Sequence, residues 1–418
     1  MSFWERIRSS RDYDLARLVD QRVLTAHRSD ADRVHVICDI DKTYLETEFD
    51  SLLDLAKVAM QNAQDKVTVP GAAMTLSAVR WSRADAAASA GSTRRDPLPG
   101  PGPALHFVSS SPPQLRKVLE RKLAMDGLDW TSDTFKDQAY NIRMRRMDQL
   151  KQHVAYKSAA ILEIIRRFGP PDPARKPAGD STPPGSGGRA RFIMIGDSAE
   201  SDAYIYVGVA LLVSGAISVA GYAKYLEHAG IEPQVARDVC SLADGLPPVA
   251  IDGILIRMIP EYGFVERPML TNCISIFHNW AEAAAFLAVA GVITAGGFQA
   301  TLRHMHNAHD LPVQEARSLL EAYETSLDGA RRTSLGGVLR SLIARWSGPG
   351  GIWAQARTTG NASRTARSFR QTALPENEWG RGAEDRLLSE AAAWAGALHE
   401  ARLQRKTRSK TGTQSQGG

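Results

Sequence analysis

The chain has 418 residues, 43% of them hydrophobic, with 51 Lys and Arg against 46 Asp and Glu. At about 100–200 residues per domain, this length allows two or three domains with a substantial core, which excludes a mini-protein held together by staples. Five cations, Arg402, Arg405, Lys406, Arg408 and Lys410, crowd the last residues, where no acid accompanies them; without them the charges balance, so a nucleic-acid-binding domain with a broad basic face is not expected.

Cys38, Cys240 and Cys273 are odd in number and widely spaced, with no CxxC pair, as in a reducing compartment. The opening stretch, MSFWERIRSSRDYD, is charged throughout and lacks the apolar run of a secretory signal, so a cytoplasmic protein is expected. Residues 1–32 read as an N-terminal helical segment. Three apolar runs rich in β-branched or aromatic residues, 34–38 (VHVIC), 105–108 (LHFV) and 192–195 (FIMI), read as strands that end in polar residues. After the first, Phe49, Leu52, Leu53, Ala56, Met60 and Ala63 repeat at helical spacing, and Leu115, Val118, Leu119 and Leu123 do so after the second. Ile161, Leu162, Ile165 and Phe168 mark a helix before the third.

Strands alternating with helices of this length imply parallel pairing, hence an α/β fold with a doubly wound parallel sheet over 33–245. Segments 82–103 and 169–190, rich in Gly, Pro, Ser and charge, read as flexible surface insertions. Between residues 203 and 223 no charge occurs, a length that could cross a bilayer of about 30 Å. Its glycines, serines and three tyrosines instead suggest two helices meeting at Ser214-Gly215, and no transmembrane helix is expected. From 246 to 347 the chain reads as a mainly helical C-terminal extension with one strand at 254–259. A linker over 348–375, a helix over 376–403 and a disordered basic tail over 404–418 complete the expected order.

The chemistry concentrates where the strands end. The first strand runs into Asp39-Ile40-Asp41-Lys42-Thr43, and in an open parallel sheet the carboxyl ends of strands face the ligand crevice. Asp39 is suited to act as a nucleophile or metal ligand, and Asp41, on the turning loop, to move protons. Taken alone, the same residues also suit a turn and helix N-cap. The second strand ends in Ser109-Ser110-Ser111-Pro112, hydroxyls and amides that form a phosphate cradle before a helix. The third ends in Gly196-Asp197-Ser198-Ala199-Glu200-Ser201-Asp202, adding acids to that rim, while Lys157 opens a helix (KSAAILEII) from which an ammonium can neutralise a phosphoryl oxygen. A carboxylate attacking a phosphate dianion needs the repulsion screened, and Mg²⁺ on Asp39, the Asp41 carbonyl, Asp197 and Asp202 suits that task.

In order, Asp39-x-Asp41-x-Thr43, Phe107-Val108-Ser109, Lys157 and Gly196-Asp197-Ser198 with Asp202 resemble the four motifs of the haloacid dehalogenase superfamily of phosphohydrolases. More narrowly, DIDKTYL, VSSSPPQL and IGDSAESDAYIY resemble the catalytic domain of the actin-patch-type phosphatidate phosphatases and their bacterial relatives. The resemblance spans about residues 33–245. It implies a Mg²⁺-dependent phosphomonoester hydrolase with Asp39 as nucleophile, Asp41 as acid and then base, and Lys157 holding charge. Ser109, with Ser110, would bind the phosphoryl oxygens, Thr43 would orient the Asp41 loop, and Asp197 and Asp202 would complete the metal site. It also implies a phosphorylated substrate, phosphatidate or a related phospholipid, met at a membrane surface. Lys42 stands where the phosphatidate enzymes more often carry an acid, and the 70-residue spacing before Ser109 leaves the cap class open.

Other readings of the same residues are weaker. A calcium loop starting at Asp39 would need glycine at Tyr44 and glutamate at Asp50. No GxSxG elbow supports acyl transfer, and His35 and His106 belong in or along the sheet. His304, His306 and His309 read as a polar helix surface, the cluster Lys136, Arg143, Arg145, Arg146 and Lys151 as a solvated face, and Cys38 as a core thiol. The basic tail reads as solvating disorder, with a weak contact to an anionic membrane as its alternative. An alternative for the whole chain is a non-catalytic scaffold whose helical C-terminal half binds a protein or membrane partner.

Overall fold

The computed structural model describes residues 19–23, 34–46, 66–89, 103–111, 115–136, 149–169, 190–246, 249–320, 323 and 382–414. Its centre is a seven-stranded sheet in the order β1-β4-β3-β2-β5-β6-β7. The strands are β1 (Val19–Val23), β2 (Val34–Asp39), β3 (Ala104–Ser109), β4 (Ser132–Lys136), β5 (Arg191–Asp197), β6 (Ala250–Arg257) and β7 (Ile274–Phe277). From β4 to β7 every pairing is parallel; β1 closes one edge antiparallel to β4. The expected doubly wound α/β sheet is therefore present, with a C-terminal helix added.

The described helices are α1 (Ala72–Ser89), α2 (Arg116–Met125), α3 (Gln149–Phe168), α4 (Asp202–Val213), α5 (Val219–His228), α6 (Pro233–Ser241), α7 (Pro268–Thr271), α8 (Trp280–Val289), α9 (Ala295–His309) and α10 (Ala383–Gln414); a further helical stretch covers 313–320. Alternation along the strands divides the core in two. Ile37, Phe192, Met194, Ile254 and Ile256 pack under α3, α4, α5, α6 and α10, while Val36, Cys38, Ile193, Ile195 and Leu255 pack under α1, α2, α8 and α9. A strand apolar on both sides is what a central parallel strand requires, because helices cover both faces.

Helix α4 explains the uncharged run. All twelve of its residues are buried, so each larger aliphatic side chain contributes about 1.5–3 kcal/mol by leaving water. The expected break at Ser214-Gly215 separates α4 from α5, with Gly215 at φ 75°. Tyr204 and Tyr225 lock the two helices together: each hydroxyl donates to the other's carbonyl, at 2.8 and 2.6 Å. No helix among the described residues is long and apolar enough to cross a membrane.

Several expectations change. In the expected N-terminal helical segment, residues 19–23 form the edge strand β1. The insertion expected over 82–103 is helical as far as Ser89, because Ala72, Leu76 and Val79 on α1 are buried in the second core and carry the helix forward. The helix expected around Phe49–Ala63, the tip of the 169–190 insertion and the 348–375 linker lie outside the described residues. So do Arg143, Arg145 and Arg146 of the basic cluster. The sheet does not stop at 245: the strand expected at 254–259 is present as β6, Ala250–Arg257, and pairs into the same sheet, and β7 adds one strand that was not expected. Finally, the helix expected to end at 403 continues to Gln414, and the first part of the presumed disordered tail is helical. Leu387, Leu388, Ala391 and Trp394 seat α10 in the first core, and the Trp394 indole donates to the Val265 carbonyl at 3.0 Å.

Candidate active site

Three neighbouring strands deliver the motif residues to one edge. Asp39 is the last residue of β2 and pairs with Val108, one residue short of Ser109 at the end of β3; on the other side β5 ends at Asp197. Parallel strands share a direction, so their carboxyl ends and the loops that follow converge on one crevice.

The loop after Asp39 turns sharply. Lys42 adopts a left-handed conformation, φ 59°, which costs a non-glycine residue about 1 kcal/mol or more and persists only where neighbours hold it. Here Arg257 donates to the Lys42 carbonyl at 2.7 Å, the Lys42 ammonium donates to the Tyr262 hydroxyl at 2.7 Å, and the Trp280 indole donates to the Thr43 carbonyl at 3.3 Å. Held this way, the turn presents Asp41 to β3. Ser109 and Ser111 both donate to Asp41 Oδ2, at 2.9 and 3.0 Å, and the Ser111 amide donates back to the Ser109 hydroxyl.

Asp39 is handled differently. It is fully buried, neither of its carboxylate oxygens receives a well-directed hydrogen bond, and Lys157 Nζ stands 2.7 Å from Oδ1. Lys157 also reaches Asp202 Oδ1 at 2.5 Å and Glu200 Oε2 at 2.8 Å. It sits inside α3 rather than opening a helix as expected, and its position there aims it across the sheet edge. Asp197 Oδ1 accepts from the amides of Ala199 and Glu200 at 2.6 and 3.0 Å, and its Oδ2 accepts from Thr43 at 3.4 Å. Asp202, the first residue of α4, accepts weakly from the Asp197 amide at 3.3 Å. Gly196 makes that approach feasible: a Cβ there would lie 2.6 Å from the Asp202 Cβ.

Carboxylate oxygens of Asp39, Asp197 and Asp202 lie within 4.8 Å of one another, all buried. At an effective dielectric of about 20, two charges at that separation repel by about 3–4 kcal/mol, and one lysine cannot cancel three. The proton affinities reflect this. Burial pushes Asp39 well above the usual carboxylate range; Lys157 pulls it down, and Asp202, Glu200 and Asp197 push it up. Burial, with Asp202 and Glu200 beside it, raises Asp197 to about 8. Asp202 is raised by burial despite Lys157, and Asp41 by burial and Glu200 against the two serine hydrogen bonds. Glu200 goes the other way: burial works against its charge, but Lys157 and His153 outweigh it and hold the carboxyl well below its usual range. Burial likewise opposes the Lys157 charge, yet Asp202, Asp39 and Glu200 keep the ammonium firmly protonated. The result is a dense, all-oxygen donor set, of the kind hard cations take.

Every expected site residue is thus at this edge, with some roles redistributed. Ser109 is engaged with Asp41; Ser110 reaches Glu200 Oε2 at 3.5 Å; Thr43 ties the first loop to Asp197. The Asp41 side chain is not part of the three-carboxylate cluster in which a metal role was expected for it. From the sequence, Ser111 and Glu200 had only a general place, in the phosphate cradle and the acid-bearing rim, Arg402 counted among the basic C-terminal residues, and His153 had no role. His153 was accessible in principle, since it precedes Lys157 by four residues on one helix and so shares its face; its Nδ1 is 3.5 Å from Glu200. Arg402, on α10, donates to the Ser201 hydroxyl at 3.0 Å, and no local pattern announces it. Elsewhere, His35 and His106 stack within the sheet, 3.0 Å apart through their ring nitrogens, and Cys38 lies in the core as expected. Compared with family models, curated proteins and solved structures, the chain matches none.

Proposed function

We propose that this chain is a Mg²⁺-dependent phosphomonoester hydrolase that works through an aspartyl-phosphate on Asp39. One observation carries the reading: a buried carboxylate with no well-directed hydrogen bond ends β2 beside Lys157, within 4.8 Å of two more carboxylates, while its neighbour Asp41 is held separately by two serines. A scaffold has no physical need to concentrate mutually repelling buried acids.

In the proposed first step an Asp39 oxygen attacks phosphorus as the bond to the leaving oxygen breaks. Asp41 gives its proton to that oxygen, a role suited to a carboxyl whose proton affinity is raised by burial. In the second step the Asp41 carboxylate takes a proton from water, the water oxygen attacks phosphorus, and the Asp39 carboxylate is released with inorganic phosphate. Ser109 and Ser111 orient Asp41 through both steps. Lys157 compensates charge on Asp39 and on the phosphoryl oxygens, and Thr43 keeps the loop in register with Asp197. Asp39, Asp197, Asp202 and the Asp41 carbonyl would hold Mg²⁺, which supplies screening between carboxylate and phosphate. On the sequence resemblance, phosphatidate or a related phospholipid is the first substrate to test, at the cytoplasmic face of a membrane.

The test is phosphate release from a panel of phosphomonoesters, phosphatidate vesicles included, with and without Mg²⁺. Release should require both Mg²⁺ and Asp39; Asp39→Asn should abolish it, and Asp41→Asn should retain only slow phosphoryl trapping. Silence of the folded wild type across the panel would refute the reading and favour the scaffold alternative.

A further inference from the structure

Glu200 is unlike the other acids at this sheet edge. Asp39, Asp197 and Asp202 are fully buried, whereas the Glu200 side chain keeps 19% of its surface exposed and so stands where the crevice opens. Its amide is tied to Asp197 Oδ1 at 3.0 Å, which anchors the backbone just ahead of α4. Its carboxylate reaches away from that loop, and one oxygen, Oε2, meets three groups from two other elements. Lys157 Nζ lies at 2.8 Å and His153 Nδ1 at 3.5 Å, both from α3, and the Ser110 hydroxyl, just past the end of β3, lies at 3.5 Å.

An ammonium, a hydroxyl and an imidazole converging on one oxygen make an oxyanion site, and such a set serves a phosphoryl oxygen as well as a carboxylate. The same Lys157 ammonium stands 2.7 Å from Asp39 Oδ1. A phosphoryl group at Asp39 and the Glu200 carboxylate therefore draw on one cation, and two anions crowded around it repel each other. Of the three acids that Lys157 touches, Asp39 and Asp202 lie wholly inside the protein. A turn of the half-buried Glu200 side chain, in contrast, carries its charge into water.

We propose that Lys157, Ser110 and His153 form an oxyanion site which Glu200 holds, and which a phosphoryl group takes over by displacing the Glu200 carboxylate into solvent. No covalent bond changes in the exchange; the three donors pass from one anion to the other. The proposal rests on the phosphomonoesterase reading and adds regulation of that same site: Glu200 sets how tightly phosphate groups bind, and His153 becomes a residue of the phosphoryl site.

The test uses the full chain with saturating Mg²⁺ and inorganic phosphate as the probe, followed by calorimetry. Glu200→Gln keeps the shape of the side chain and should bind phosphate about tenfold more tightly than wild type. Glu200→Asp separates displacement from simple repulsion, because it keeps the charge but shortens its reach. Under displacement it also binds phosphate more tightly, by about threefold or more, and under repulsion alone it matches wild type. His153→Gln should weaken phosphate binding by a factor about three times larger in the Glu200→Gln background than in wild type, where the lost donor served Glu200 and phosphate alike. Unchanged or weaker binding in Glu200→Gln, a Glu200→Asp variant equal to wild type, additive effects of the Glu200 and His153 substitutions, or binding of phosphate by none of these proteins would each overturn the displacement. Phosphate binding with the expected pattern in a protein that hydrolyses no phosphomonoester would sink the enzymatic reading and leave the displacement standing. Should Glu200→Gln melt well below wild type, the Glu200→Asp comparison decides alone.

Discussion

Lys157→Met is the most direct probe of the electrostatic design. The substitution keeps the bulk of the stem and removes the ammonium, which stands 2.7 Å from Asp39, 2.5 Å from Asp202 and 2.8 Å from Glu200 in a site where Lys157 itself is fully buried. Removing one partner of a buried ion pair costs about 3–5 kcal/mol, because the other partner is left without compensation. At about 2.1 cal/mol/K of unfolding entropy per residue, a 418-residue chain shifts its melting temperature by about 1 °C per kcal/mol, so a fall of roughly 3–6 °C is expected at neutral pH. The pH dependence is the sharper part of the prediction. Without Lys157, the carboxyls of Asp39 and Asp202, already raised by burial, rise further, so the folded protein holds protons that the unfolded chain has released. Stability then falls as pH climbs above the ordinary carboxylate range of about 4. Thermal melts in metal-free buffer should show the variant nearest to wild type at pH 5 and furthest below it at pH 8. A loss under about 1 kcal/mol, the range of an exposed ion pair, or a loss that does not widen with pH, would refute the view that this ammonium neutralises the buried acids.

Two further predictions concern the carboxylate cluster. Burial and its acidic neighbours hold Asp197 at about 8, so in the metal-free protein it keeps a proton from about pH 4 to about pH 8 and its contribution to stability declines across that window. A divalent cation has to displace this proton, so Mg²⁺ should raise the melting temperature more at pH 8 than at pH 6; equal shifts at both would contradict it. Gly196→Ala would set a Cβ 2.6 Å from the Asp202 Cβ, forcing that side chain away. A stability loss of about 1–3 kcal/mol and a smaller Mg²⁺-induced melting shift are expected, and an unchanged shift would show that Asp202 is not held in place by this approach.

Local patterns carried a large part of this structure. Runs such as VHVIC and FIMI become central strands because they are apolar on both faces, and the short polar stretches after them put Asp39, Ser109 and Asp197 at strand ends, which the sheet then makes neighbours. The uncharged stretch at 203–223 was legible as two helices because glycine and serine interrupt it at the position where α4 gives way to α5.

Other features depend on surfaces that only the assembled fold creates. β1 is short, and the sheet edge that it pairs with, β4, is supplied from a distant part of the chain. Composition suggested an insertion where α1 continues, because its alanine-rich end resembles linker until α8 and α9 are packed against its beginning. Above all, the helix expected to end at 403 runs on to Gln414 in place of solvated charge, with its Trp394 in the first core and its Arg402 beside Ser201. Sequence spacing can say that Asp39, Asp41, Lys157 and Asp197 belong together chemically, since each sits at a recognisable local position. It cannot say which remote cations surround them, because that is decided by which apolar surface the last helix finds uncovered.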